Sequence, residues 1–267
     1  MPPKTIVDAS VPNAGRVYDY LLGGHHNFEI DRLAGDRVKT MMPFLPKLMR
    51  LFRWCLGDLA YELTHERGYD TIIDFASGLP TTDHLHTAVA PGTTVIYSDR
   101  DPVCVEYGRE ILGGTPNVHY FQADCRQPEE LLNRPDVRAI LGDKRRVAFV
   151  YWGISMYLSD DETKKIAQTL YDWSSKDSCL AFYLQPADIR NESGRRIMEL
   201  YKNMGEALYL RRLDTYPDLF KPWVADKLGY RSMEEWHGVE SPLTEEDMAF
   251  FPEGETTVGY GVYLVKE

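Results

Sequence analysis

Thr71-Ile-Ile-Asp74-Phe-Ala76-Ser-Gly78-Leu-Pro80 decides the fold of this chain. A β-rich run passes straight into a turn of small residues, the pattern of a buried strand whose end lets a ligand approach the backbone. Similar runs follow at Thr94–Tyr97, Val118–Phe121, Arg146–Tyr151 and Cys179–Tyr183. They alternate with helical segments near Thr82–Val89, Val103–Leu112, Glu129–Leu132 and Asp161–Trp173. Such alternation predicts an α/β fold, a doubly wound and mostly parallel sheet with helices on both faces. Thr257–Val265 alternates and is β-branched or aromatic, which suits an added antiparallel strand. Ser193–Leu210 and Tyr216–Leu228 read as helices between them.

Upstream, residues 13–32 read as a short helix, a break at Gly23-Gly24 and a polar-aromatic loop. Apolar residues at Leu45, Leu48, Phe52, Leu56, Leu59 and Leu63 fall three or four apart, and Gly68 stops the amphipathic helix they define. The expected division is an N-terminal helical cover over residues 1–68 and a Rossmann-like sheet domain over 69–267. The second carries a helical insertion at 193–228 and antiparallel edge strands.

The 267 residues suffice for one large α/β domain or two small ones, and 43% hydrophobic content excludes a disordered or fibrous class. A formal charge of −11 opposes an extended phosphate-backbone partner, so no nucleic acid is expected. The longest apolar run, Val147–Leu158, is too short for a bilayer, and the N-terminus does not read as a signal peptide. A cytoplasmic chain with no membrane partner is expected. Cys55, Cys104, Cys125 and Cys179 are scattered without metal-ligand spacing and read as reduced, buried thiols, so no metal site is expected.

Ligands of an open parallel sheet sit at the carboxyl ends of its strands. The first strand ends at Asp74, Ala76 and Gly78; the second at Asp99-Arg100; the third at Asp124-Cys125. Asp99 is placed to accept both ribose hydroxyls of an adenosine, and the Asp124 region can reach the adenine amino group. Leu79-Pro80-Thr81 follows Gly78 where a dinucleotide site wants further glycines, so no helix N-terminus is shaped for a pyrophosphate. The three strand ends together suit S-adenosylmethionine (SAM).

Arg16-Val-Tyr-Asp-Tyr-Leu-Leu-Gly-Gly24, then Asn27-Phe28 and Asp31-Arg32, resembles the opening signature of a family of SAM-dependent methyltransferases. Gly78–Thr81 and Asp99–Pro102 are similar to the same family. The resemblance runs from about Asn13 to Tyr183. It implies a class I methyltransferase fold with a seven-stranded sheet, and an N-terminal segment closing over SAM. It also implies that Asp74, Gly78, Asp99 and Asp124 hold the cofactor, with Tyr20, Asn27 and Arg32 from the cover. Arg32 or Arg16 would then meet the cofactor carboxylate.

The departures bear on chemistry. Ala76 stands at the first glycine of the strand-one turn. Ser155-Met156 and Tyr183-Leu184 stand where the family commonly has Leu-His and Ser-His. In their neighbourhood are Tyr151, Trp152, Tyr157 and Tyr183, either core rings or an aromatic box around a sulfonium. The leading expectation is methyl transfer from SAM to a small molecule, which needs alignment and a dry pocket more than an acid or base. One alternative is attack of SAM's own amine, closing azetidine-2-carboxylate and releasing methylthioadenosine with SAM as sole substrate. Another is a protein that binds SAM without turnover.

Overall fold

The computed structural model describes residues 10–81, 83–185, 192–203, 205, 207–249, 251 and 257–267. Three helices come first: α1 (Ala14–Leu21), α2 (Glu29–Met41) and α3 (Leu45–Tyr61), the last continued by a wide π turn over Glu62–Glu66. Then β1 (Thr71–Phe75), β2 (Thr94–Asp99), α4 (Pro102–Leu112), β3 (Val118–Gln122), α5 (Pro128–Leu132), α6 (Pro135–Leu141), β4 (Ala148–Tyr151), α7 (Asp160–Trp173) and β5 (Cys179–Leu184) alternate as the sequence predicts. The rest comprises α8 (Glu192–Asn203), α9 (Tyr216–Phe220), β6 (Val224–Ala225), β7 (Arg231–Ser232), α10 (Met233–His237), α11 (Glu245–Met248) and β8 (Tyr260–Val265).

One sheet of eight strands runs β3-β2-β1-β4-β5-β8-β6, with β7 also on β8. The first five are parallel and β8 is antiparallel to β5, in register from Cys179 with Val265 to Leu184 with Tyr260. The resemblance implied seven strands and the residue pattern located six; the other two of the eight are the two-residue β6 and β7, too short to leave a periodic trace. Strand order reverses between β1 and β4, so a ligand crevice is expected beyond their carboxyl ends.

Three predicted helices come out differently. Ser193–Leu210 yields α8, which ends at Asn203, with no helix at 207–210. Around Leu85–Thr87 there is only one 3-10 turn, because Asp83 takes φ 63° and the His84 ring accepts from the Leu85 amide. α9 stops at Phe220, just before Lys221-Pro222, since proline has no amide to donate and disfavours a helical residue before it.

The sheet separates two cores. Ile72, Val95, Tyr97 and Tyr183 face α1–α3, whereas Ile73, Phe75, Phe149 and Tyr151 face α5–α7 and α9. Each pair follows from the period of two along a strand.

The cover is fastened by a buried ion pair. Arg16, 3% exposed, donates through Nε to Asp31 Oδ2 and through Nη1 to Asp101 Oδ2, both at 2.8 Å, and through Nη2 to the Val11 carbonyl. Asp31 also accepts from the Asn13 and Phe28 amides. Arg16→Met should leave two buried carboxylates without their cation and cost about 3–5 kcal/mol. The urea midpoint reads this, and a loss below about 1 kcal/mol would show that the pair does not hold the cover.

Candidate functional site

A cleft of about 1120 Å³, counting its open mouth, lies at the carboxyl ends of β1 to β4. The turn after β1 supplies Ala76, Ser77 and Gly78; β2 ends in Asp99-Arg100; the turn after β3 supplies Asp124, Cys125 and Arg126; the turn after β4 supplies Trp152, Gly153 and Ile154. The cover contributes Asn13, Ala14, Gly15 and Tyr18 from α1 and its cap, and Phe52, Arg53 and Leu56 from α3.

The β1 turn is shaped for close approach. Ala76 has φ 54° and Gly78 φ 62°, left-handed conformations that cost a non-glycine residue about 1–2 kcal/mol. Strain held at Ala76 marks a turn whose surroundings over-determine it. Asp99 clasps this turn to the next, its Oδ2 accepting from the Gly78 amide at 3.0 Å and its Oδ1 from Asp101 at 2.9 Å. Tyr120 donates to the Gly78 carbonyl from below.

Burial sets the charge states. It pushes the Asp74 carboxyl up to about 7, with Ser77 and Arg53 pulling the other way and Asp99 adding to the rise. Burial likewise raises Asp99 against two amide hydrogen bonds. It works against ionisation of Asp124 too, but the Arg126 guanidinium more than offsets that and holds this carboxyl low. His84 is buried and kept neutral by desolvation. Its Nδ1 accepts from the Leu85 amide at 2.9 Å, which leaves Nε2 to donate to the Ser77 carbonyl at 3.1 Å. Tyr97 meets the same Nδ1 at 3.0 Å, so the ring has no lone pair to spare as a base.

The cleft therefore gathers eight of the sequence candidates: Ala76, Gly78, Asp99, Arg100, Asp124, Cys125, Trp152 and Tyr157. Asp74 lies beneath it, buried at the end of β1. The others are placed elsewhere. Arg16 spends its donors on the ion pair described above. Tyr20 donates to Asp36 at 2.7 Å and accepts from Lys39 at 3.1 Å. Asn27 bonds Asp19 and the Gly24 carbonyl, and Arg32 bonds Asn27, so both close the loop between α1 and α2.

Tyr151 and Tyr183 do not share a box. The register pairs Tyr151 with Phe182, so Tyr183 stands one residue out of step and faces the other side of the sheet. Tyr151 stacks on Phe75 at 4.8 Å and bonds the Cys125 carbonyl. Tyr183 packs on Phe52 at 4.5 Å in the other core. Trp152, one residue past β4, reaches the cleft, as Tyr157 does; it packs on Tyr183 at 5.6 Å and its indole N–H donates to the Phe52 carbonyl at 3.0 Å.

Sequence reasoning missed Arg53, Tyr18, Phe52 and Asn13. One trace existed for Arg53: an arginine between Phe52 and Leu56, on the buried side of an amphipathic helix. Arg53 is 7% exposed.

The sequence profile of S-adenosyl methyltransferases matches residues 2–253. The chain belongs to that family. No curated protein matches it. Among solved structures it is similar to a candidate methyltransferase from Thermobifida fusca, 29% identical over 100% of both chains with a TM-score of 0.83. A DUF574 family protein from Streptomyces avermitilis is 26% identical over 98% of this chain and 100% of its own, with a TM-score of 0.85. Mitomycin 7-O-methyltransferase, 16% identical over 94% of this chain and 68% of its own at a TM-score of 0.51, shares the fold. The protein is a SAM-dependent methyltransferase, and SAM is its cofactor. No helix among the described residues is long and apolar enough to cross a membrane.

The raised Asp74 carboxyl yields a pH test. Between 3.8 and about 7 the folded chain binds a proton that the unfolded chain releases, so this residue lowers stability as pH rises through that window. Asp74→Asn should gain on the parent as pH goes from about 5 to about 8, on the order of 1–4 kcal/mol. Thermal melts at both pH values check this, and a gain independent of pH would place the charge of Asp74 elsewhere.

Proposed function

We propose that this methyltransferase acts on a small molecule held in the cleft between the β1–β4 turns and the cover. Asp99, Gly78, Asp124 and Cys125 would take the adenosine end of SAM, and Phe52, Leu56, Trp152, Ile154 and Tyr157 would surround its reacting end. The observation that carries this reading is the placement of the Asp99 carboxylate. It stands at the end of β2, clasped to the Gly78 amide, with lone pairs left for a pair of hydroxyls.

SAM supplies an electrophilic methyl on a cationic sulfur. The residues present fit that group: an acid at the ribose end, a left-handed turn that brings backbone close, and apolar rings at the far end. Phe52, Leu56, Trp152 and Leu158 exclude water, which favours attack by a nucleophile already in line. His84 is neutral with its nitrogens committed and Tyr157 is pushed well above its ordinary value by burial, so neither serves to deprotonate an acceptor. That directs the reading to acceptors nucleophilic without a base. The cleft's position under a folded cover and the charge of −11 both favour a small acceptor over a nucleic acid.

Incubation with SAM and a panel of small nucleophiles, followed by identification of the adenosine-containing product, tests the reading. S-adenosylhomocysteine formed in step with a methylated acceptor is expected. Methylthioadenosine from SAM alone would overturn it in favour of ring closure. Asp99→Ala should weaken SAM binding about 10- to 100-fold in a folded variant, since a charge-assisted hydrogen bond contributes about 1.5–3 kcal/mol. Calorimetry giving unchanged affinity would remove Asp99 from the ribose.

A further inference from the structure

Among the described residues, the cleft holds one buried charge that the fold does not explain. Arg53 on α3 is 7% exposed, and neither its Nε nor its Nη1 has a hydrogen-bond partner. Burying a cation unpaired is costly, and most buried guanidinium groups are matched to a carboxylate. Arg16 and Arg211 are the contrast here: Arg16 is paired to Asp31 and Asp101, and Arg211 is saturated by Asp160 and the carbonyls of Ser155, Leu158 and Tyr209. Around Arg53 stand the Tyr18 ring, 5.5 Å from the guanidinium carbon, neutral His84, and Asp74, which feels the cation without forming an ion pair.

The position of Arg53 is also held. The Trp152 indole donates to the Phe52 carbonyl at 3.0 Å, tying that turn of α3 to the end of β4. Along the crevice the order is Asp124 after β3, Asp99 at β2, Gly78 after β1 and Trp152 after β4. Three strand spacings of about 4.8 Å span about 14 Å, the reach of a nucleoside carrying an extended amino-acid chain. A ligand with its adenosine at Asp99 and Asp124 would therefore place its other end on the Arg53 side.

We propose that Arg53 receives the α-carboxylate of the cofactor's amino-acid end, so that the cleft selects nucleosides bearing a carboxylate over those without one. This rests on the reading of the cleft as the SAM site. A planar guanidinium with two unspent donors matches a carboxylate bidentately. Because Arg53 rides on the cover and Asp99 on the sheet, a bound ligand bridges the two.

The test compares S-adenosylhomocysteine with 5′-methylthioadenosine, which lacks the carboxylate, by calorimetry on the parent, Arg53→Met and Arg53→Lys. The parent should bind S-adenosylhomocysteine at least 10-fold more tightly than methylthioadenosine. Arg53→Met should lose about 10- to 100-fold for the first and change little for the second, with Arg53→Lys intermediate. The unliganded Arg53→Met should melt no lower than the parent, because it sheds an unpaired buried charge; a structural arginine would lower the melting point. Equal losses for both ligands, or none for S-adenosylhomocysteine, would overturn the assignment. So would equal affinity of the parent for both ligands, which leaves the site reading standing. A parent that binds neither ligand would remove the site reading and the assignment together.

Discussion

One guanidinium fastens the two parts of this molecule. Arg16, near the start of the described chain, reaches Asp31 in α2 and Asp101, 85 residues away, in the loop after β2. Asp101 in turn caps α4 through the Val103 amide and is held by the Asp99 carboxylate through its own amide. Asp99 clasps Gly78. A continuous chain of charge-assisted bonds thus runs from the cover to the turn that lines the cleft. Such a pair is expensive to desolvate, so its contribution lies less in net stability than in allowing one arrangement of cover on sheet. That arrangement brings Gly15 against the β1 turn, where even a methyl group added to it would lie 4.0 Å from Gly78 Cα.

The same constraint divides the arginines by task. With Arg16 committed to architecture and Arg126 paired to Asp124, Arg53 is left as a cleft cation with unspent donors. Most of the acidic excess lies outside the cleft, whose acids are individually controlled. Asp124 is paired to Arg126, while Asp74 and Asp99 are buried and pushed toward the protonated form. A chain of net charge −11 can therefore offer a locally cationic pocket, because charges within a low-dielectric cleft outweigh distant, screened ones.

The aromatic residues show how local pattern and tertiary placement part company. Tyr151, Trp152 and Tyr183 lie near strand ends and read in one dimension as a cluster. In three dimensions the pleat sends Tyr151 to one core and Tyr183 to the other, while Trp152, just outside β4, turns into the crevice. Its own ring partners are Tyr183 at 5.6 Å and Trp236 at 5.7 Å, and the Phe52 and Tyr18 rings that line the same cleft come from helices far away in sequence.

Five parallel strands, helices α4, α5 and α7 and the acids that end β1, β2 and β3 were legible in the sequence by itself. Hydrophobic periodicity and strand-end chemistry are local properties of neighbouring residues, and strand order then puts those ends in one crevice. The work of the polar residues between Arg16 and Arg32 was not legible in the sequence. Whether an arginine faces a ligand or a buried carboxylate depends on what packs against it from a distant segment. Tertiary structure alone placed Arg16 between two acids, turned Arg32 and Tyr20 to the loops and surface of the cover, and left Arg53 in the cleft. β6 and β7 were hidden for a related reason: two-residue pieces have no period of their own and become strands only because β8 offers them hydrogen bonds.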